Sequence, residues 1–232
     1  ASARIGSGGA AYNGGVNNGN VLVTTENGDI TLDSSAGLAD AVTQIGNGGV
    51  GMTGGAVTGT ITVDTTTNGN ITDDEVILTG GAGAGAAAQI GHGGAGSSNA
   101  LNGNVTVTSD TNLTLTSGAG DNAGTQIGHG GYDTDGDFSG DIKAVSPNGF
   151  VRVWGGNVGA EGQYAQIGHG GINSDGAMSG DVTVVAASGD SHVRGGNQDN
   201  SYAMFGHGDG AKTSTGTRQG GIHLFSSGQL IV

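Results

Sequence analysis

Two groups of residues in this chain could do chemistry: histidines that return at one place in a recurring phrase, and aspartates crowded into one turn. The histidines are His92, His129, His169 and His207, with Asn47 and Ser7 at the same place in the two earlier copies. Imidazoles brought into one column could share a transition metal through successive ring nitrogens. They could also form a pH-sensitive packing element, or a polar ladder in which each ring bonds its neighbours and the turn backbone. The Asn and Ser at the first two places suit the ladder best. Stacked imidazoles cannot all be protonated, so acid should loosen such a column if it is buried.

The aspartates are Asp133, Asp135, Asp137 and Asp141, in Tyr132-Asp133-Thr134-Asp135-Gly136-Asp137 and just beyond. Carboxylates at alternate positions around a glycine resemble the start of a calcium loop, where hard oxygen ligands converge on one cation. The twelfth place, which should supply another carboxylate, holds Ala144, and the next repeat keeps only Asn173-Ser174-Asp175-Gly176 and Asp181. A solvated acidic turn is therefore the expectation. No cofactor is required, and calcium is the first ion to try.

Catalysis finds little support. No paired carboxylates and no Ser/His/Asp set can be placed together, and the outward mid-strand places hold Leu22, Thr62, Thr106, Lys143, Thr183 and His223. That variety argues against the clustered acids of β-helical glycan-cleaving enzymes, and equally against a regular threonine array for ice. The chain is expected not to be an enzyme.

The element that must position these residues is the phrase itself. It reads ARIGSGG from Ala3, TQIGNGG from Thr43, AQIGHGG from Ala88, TQIGHGG from Thr125, AQIGHGG from Ala165 and AMFGHGD from Ala203. Measured at Ile5, Ile45, Ile90, Ile127, Ile167 and Phe205, the spacings are 40, 45, 37, 40 and 38 residues, a period that signals a solenoid or propeller.

Between markers come two further alternations with apolar residues two apart, the strand period. They are Val21/Val23 and Ile30/Leu32 in the first repeat, Ile61/Val63 and Val76/Leu78 in the second, and Val105/Val107 and Leu113/Leu115 in the third. The fourth has Ile142/Ala144 and Val151/Val153, the fifth Val182/Val184 and Ser191/Val193, the sixth Ile222/Leu224 and Leu230/Val232. An insertion around Asn68 to Asp74 accounts for the longest spacing. Helical periodicity is absent.

Three short strands cannot bury an apolar face alone, so neighbouring repeats must share a core. The expected fold is all-β: a three-faced parallel β-solenoid of about six coils, right-handed as parallel crossovers usually are. It forms a single domain over 1–232, with repeats starting near 3, 43, 88, 125, 165 and 203. A propeller needs four antiparallel strands per blade and is the runner-up. Six coils about 4.8 Å apart would make a rod on the order of 30 Å long.

Composition narrows the partners. Glycine supplies 53 of 232 residues, and its periodic placement at turns argues against disorder. A net charge of −14 repels nucleic acid and anionic membranes, so neither is an expected partner. There is no cysteine for a disulfide or thiolate site, and no apolar run long enough to insert in a bilayer.

Gly-Asp-Val-x-Val, then Gly-x-Val-x-Val-x-Gly-Gly, then Tyr-Ala-Gln-Ile-Gly-His-Gly-Gly resembles the repeats of large filamentous haemagglutinin-like exoproteins of Gram-negative bacteria. The likeness is strongest at 140–171 and 180–208. It implies a parallel β-helix, secreted or held on the bacterial cell surface, used in adhesion or in building a biofilm matrix. It supplies no catalytic residues. The partners expected are host or matrix glycans and further copies of the chain, since neither end of the sequence contains a capping helix and open strand edges invite end-to-end or strand-exchange assembly.

Overall fold

The structure is a computed structural model that describes residues 2–9, 11, 13–35, 37–66, 73–156, 159–208 and 216–232. Every strand is parallel to its neighbours, and the strands sort into four sheets of six, so the chain climbs through five coil-to-coil steps as a β-solenoid. No helix occurs among the described residues.

The first sheet carries the recurring phrase: Ser2–Ile5, Val42–Ile45, Ala88–Ile90, Thr125–Ile127, Tyr164–Ile167 and Tyr202–Phe205. Its register places Ile5, Ile45, Ile90, Ile127, Ile167 and Phe205 in one column. The third sheet takes the first alternation of each repeat, from Val21–Thr24 to Ile222–Ser226, and the fourth sheet takes the second, from Ile30–Asp33 to Leu230–Ile231.

These three sheets enclose the main core. Its ladders of like residues include Val63, Val107, Ala144 and Val184 on the third sheet and Leu78, Leu115 and Val153 on the fourth, all fully buried. β-branched and leucine side chains suit this arrangement because each sits on the identical pleat of the coil below and packs without a gap.

The expectation of three faces falls short by one sheet. A second sheet of very short strands, Asn17–Asn18, Ala56–Thr58, Ala100–Asn102, Phe138–Ser139, Met178–Ser179 and Arg218–Gln219, lies between the marker and the next alternation. It contributes nothing to the main core. Val57, Leu101, Phe138 and Met178 stack on one another, and with Met52 they make a separate, smaller apolar cluster. One apolar residue per strand gives no alternation to detect, which is why sequence periodicity passes over it. Of the insertion expected around Asn68 to Asp74, residues 67–72 lie outside those described.

Candidate functional site

The histidine column is buried and geometrically regular. His92, His129 and His169 are fully buried, and the rings stack at 4.7 Å between His92 and His129, 4.7 Å between His129 and His169, and 4.8 Å between His169 and His207. Ring planes are within 8° to 14° of parallel. The spacing is the coil repeat itself, because each ring belongs to a different coil at the same register.

Hydrogen bonding settles the tautomer. The backbone N–H of Asn47 donates to His92 Nδ1 at 3.1 Å, that of His92 to His129 Nδ1 at 3.0 Å, that of His129 to His169 Nδ1 at 3.1 Å, and that of His169 to His207 Nδ1 at 3.1 Å. An amide N–H can only donate, so each Nδ1 is an unprotonated acceptor. The proton therefore sits on Nε2, which donates at 2.8 Å to the carbonyl of Gly59, Gly103, Gly140 or Gly180 on the third-sheet corner. Each imidazole thus joins the backbone of two sides of the coil, in its neutral form.

Asn47 reproduces the same two bonds with an amide. Its Oδ1 accepts from Ser7 N–H at 2.9 Å, and its Nδ2 donates to Gly19 O at 2.6 Å. With both nitrogens of each ring engaged, no lone pair remains for a transition metal, and the column does the work of a structural ladder.

Burial pushes the histidine pKa values down. His129 is held well below its ordinary value by burial and then by the neighbouring His169 and His92 rings. His169 falls to about 3, through burial first and His207 second. His92 and His207 are lowered by burial, partly offset by the Gly59 and Gly180 carbonyls that accept from them. Protonating Nδ1 would also set N–H against N–H, which drives the same way.

This donor-acceptor arrangement predicts an unequal pair of substitutions. His129→Asn retains an acceptor for His92 N–H and a donor for Gly103 O, as Asn47 does in its own coil. His129→Leu orphans both buried groups and should cost about 1–3 kcal/mol for each. Urea unfolding midpoints of the two variants will rank them, with leucine the lower.

Beside the histidines runs a second ladder that strand alternation alone does not disclose. Gln44, Gln89, Gln126 and Gln166 lie on the opposite face of the marker strand, yet they are as buried as the isoleucines. Loop segments around Gly94, Gly131 and Tyr132 fold back over that face, leaving a small cavity of about 10 Å³ beside Gln89, Gln126 and Tyr164, room for a single water.

Each glutamine Nε2 donates to two carbonyls in the turn of the following coil. Gln44 reaches Gly91 O at 2.9 Å and Gly93 O at 2.6 Å, Gln89 reaches Gly128 O at 3.1 Å and Gly130 O at 2.9 Å, and Gln126 reaches Gly168 O and Gly170 O at 3.0 Å. Gln166 does the same to Gly206 and Gly208. Arg4 Nε caps the ladder on Gln44 Oε1 at 2.7 Å, and Tyr202 OH caps it on Gln166 Oε1 at 3.2 Å. Glutamine returning beside the marker isoleucine in four copies was the available signal, because a solvent-facing place would be free to vary.

The four aspartates do not converge. Asp133 is exposed with a left-handed φ of 54°, and Asp135 is exposed with its backbone bridged to Asp175 of the next coil. Asp137 Oδ1 accepts from Ala177 N–H, and Asp141 Oδ1 from Asp181 N–H, each at 2.9 Å. Asn104 and Asp181 repeat the Asp141 bond in their own coils, toward Asp141 N–H and Gly221 N–H. These carboxylates tie one coil to the next along the rod. Among the described residues no three His, Asp or Glu side chains gather as a metal site. Addition of EDTA should leave the thermal midpoint unchanged; a fall restored by calcium would place an ion in this turn.

Comparison with protein-family models, with curated proteins and with solved structures found no match, so the coil geometry alone carries the functional reading.

Proposed function

We propose that this chain is an extracellular structural solenoid, an adhesin stalk or the subunit of a surface or matrix filament built by end-to-end stacking, and that it is not an enzyme. The observation that supports this is the continuity of the ladders. Apolar, glutamine, histidine and backbone partners repeat from coil to coil, so each coil face is a template for another coil in the same register.

The faces at the two ends present such templates. Near residue 2 the main core opens as a depression of about 390 Å³ lined by Ile5, Val23, Ile30, Leu32 and Ile45. At the opposite end Ile222 and Leu230 are 49% and 53% exposed. Coil-on-coil contact between copies would be heterologous, which produces open filaments rather than closed rings.

Electron microscopy of dilute purified protein tests the assembly. Rods in multiples of the single-solenoid length, shortened by Ile5→Asp at the open core, are the expected result. Compact monomers at every concentration would remove the filament while leaving a stalk role.

A further inference from the structure

The outer face of the fourth sheet carries an aromatic and cationic cluster that the structural role does not use. In the strand Val151–Trp154 the valines are fully buried, so Arg152 and Trp154 project outward. The Arg152 guanidinium carbon lies 4.2 Å from the centroid of the Phe150 ring and 4.4 Å from that of Trp154. It is thus held between two aromatic rings. On the next coil Arg194 stands beside Trp154 and His192 beside Arg152; on the preceding coil the same places hold Thr116 and Thr114.

Trp154 also walls a shallow groove of about 210 Å³, with Thr116 on one side and Gly118, Gly155 and Gly156 lining it without side chains. Neither Arg152 nor Arg194 has a carboxylate partner among the described residues, and Arg152 Nε is buried without a hydrogen bond. The chain has only 6 Lys and Arg against 20 Asp and Glu, yet two of those cations stand beside its single tryptophan, with the Asp190 carboxylate 3.6 Å from His192 at the edge of the cluster.

We propose that this face binds an anionic saccharide chain bearing uronate carboxylates. One sugar ring lies on Trp154 over the glycine-lined groove, and its carboxylate is held by Arg194 and Arg152. A planar guanidinium fork suits a carboxylate, and a ring wall with an unobstructed floor suits the flat C–H face of a pyranose. The groove is smaller than the about 300–1,000 Å³ of enclosed small-molecule sites. It accommodates one ring of a chain that continues along the sheet. At physiological salt the overall negative charge is screened beyond about 8 Å, so the local cations decide. Single-stranded nucleic acid is disfavoured because it needs successive open aromatic faces, whereas one face of each ring here is taken by Arg152.

Because Trp154 is the only tryptophan, its fluorescence reports occupancy directly. Titration of the intact chain with trigalacturonate should give a saturable change, absent with a neutral trisaccharide of the same length. Arg194→Ala, at an exposed site that leaves the far-ultraviolet circular dichroism unaltered, should weaken binding about tenfold. No response up to millimolar trigalacturonate, an equal response to the neutral sugar, or tighter binding of oligothymidylate would each overturn the proposal. The filament experiment is independent of all three.

Discussion

Gly128→Ala should abolish folding of the coils on either side of it, or cost more than about 4 kcal/mol, a range reserved for a few severe mechanisms. Gly128 has φ +142°, in the region that L side chains rarely enter. A Cβ built on it would lie 2.1 Å from the carbonyl oxygen of Gly168 and 3.0 Å from Ile142 Cδ1. The obstacle is the backbone of the next coil, which cannot retreat without breaking the ladder that spaces all coils alike.

Two controls make the claim specific. Gly206 occupies the same column at φ +138°, yet an added Cβ there meets nothing nearer than Ile222 Cδ1 at 3.5 Å and no backbone carbonyl. Gly206→Ala should therefore be milder than Gly128→Ala. Gly195→Ala, with open space around it, should stay within about 0.5 kcal/mol. Urea midpoints followed by circular dichroism decide the ranking, and equal losses at Gly128 and Gly195 would refute the steric account.

Acid should destabilise the solenoid through its histidines. The folded pKa values lie below the ordinary 6.5, with His169 at about 3. Between pH 6.5 and that value the unfolded chain binds more protons than the folded one, so stability is complete above pH 6.5 and falls as pH drops. Each strongly depressed ring contributes about 1.4 kcal/mol per pH unit. His169 alone removes about 2 kcal/mol between pH 6.5 and 5, and His129 acts in the same direction.

Neutralising carboxylates relieves the net negative charge and works in the opposite direction at lower pH. The clean comparison is therefore with a His129→Asn/His169→Asn variant, which retains the ladder's bonds without titrating. Its thermal midpoint should vary less between pH 7 and 5 than that of the parent. Identical profiles would show that the rings bind protons alike in the folded and unfolded chain, and would overturn the depressed values.

The architecture was legible because stacking repeats one local solution. Ile5, Ile45, Ile90, Ile127 and Ile167 return at the coil period, and the flanking valines and leucines alternate at the strand period, so adjacency of these residues follows from spacing alone. The column at Ser7, Asn47 and the four histidines was legible for the same reason. What spacing could not supply was the bond each ring makes, since that depends on which carbonyl the third-sheet corner presents.

The four-sheet section, the buried glutamines and the scattered aspartates were decided by tertiary structure. A strand with one inward residue, such as Phe138–Ser139, has no period to detect. Gln126 reads as solvent-facing until the loop at Gly131 and Tyr132 closes over it and supplies its acceptors. Asp133 to Asp141 resemble the start of a calcium loop in the sequence, although a solvated acidic turn is the expectation there. Once the chain coils, Asp137 and Asp141 each accept from a backbone amide of the next turn. Periodic sequence therefore determined which residues share a column, and the path of the loops between columns determined which of them are sealed from water.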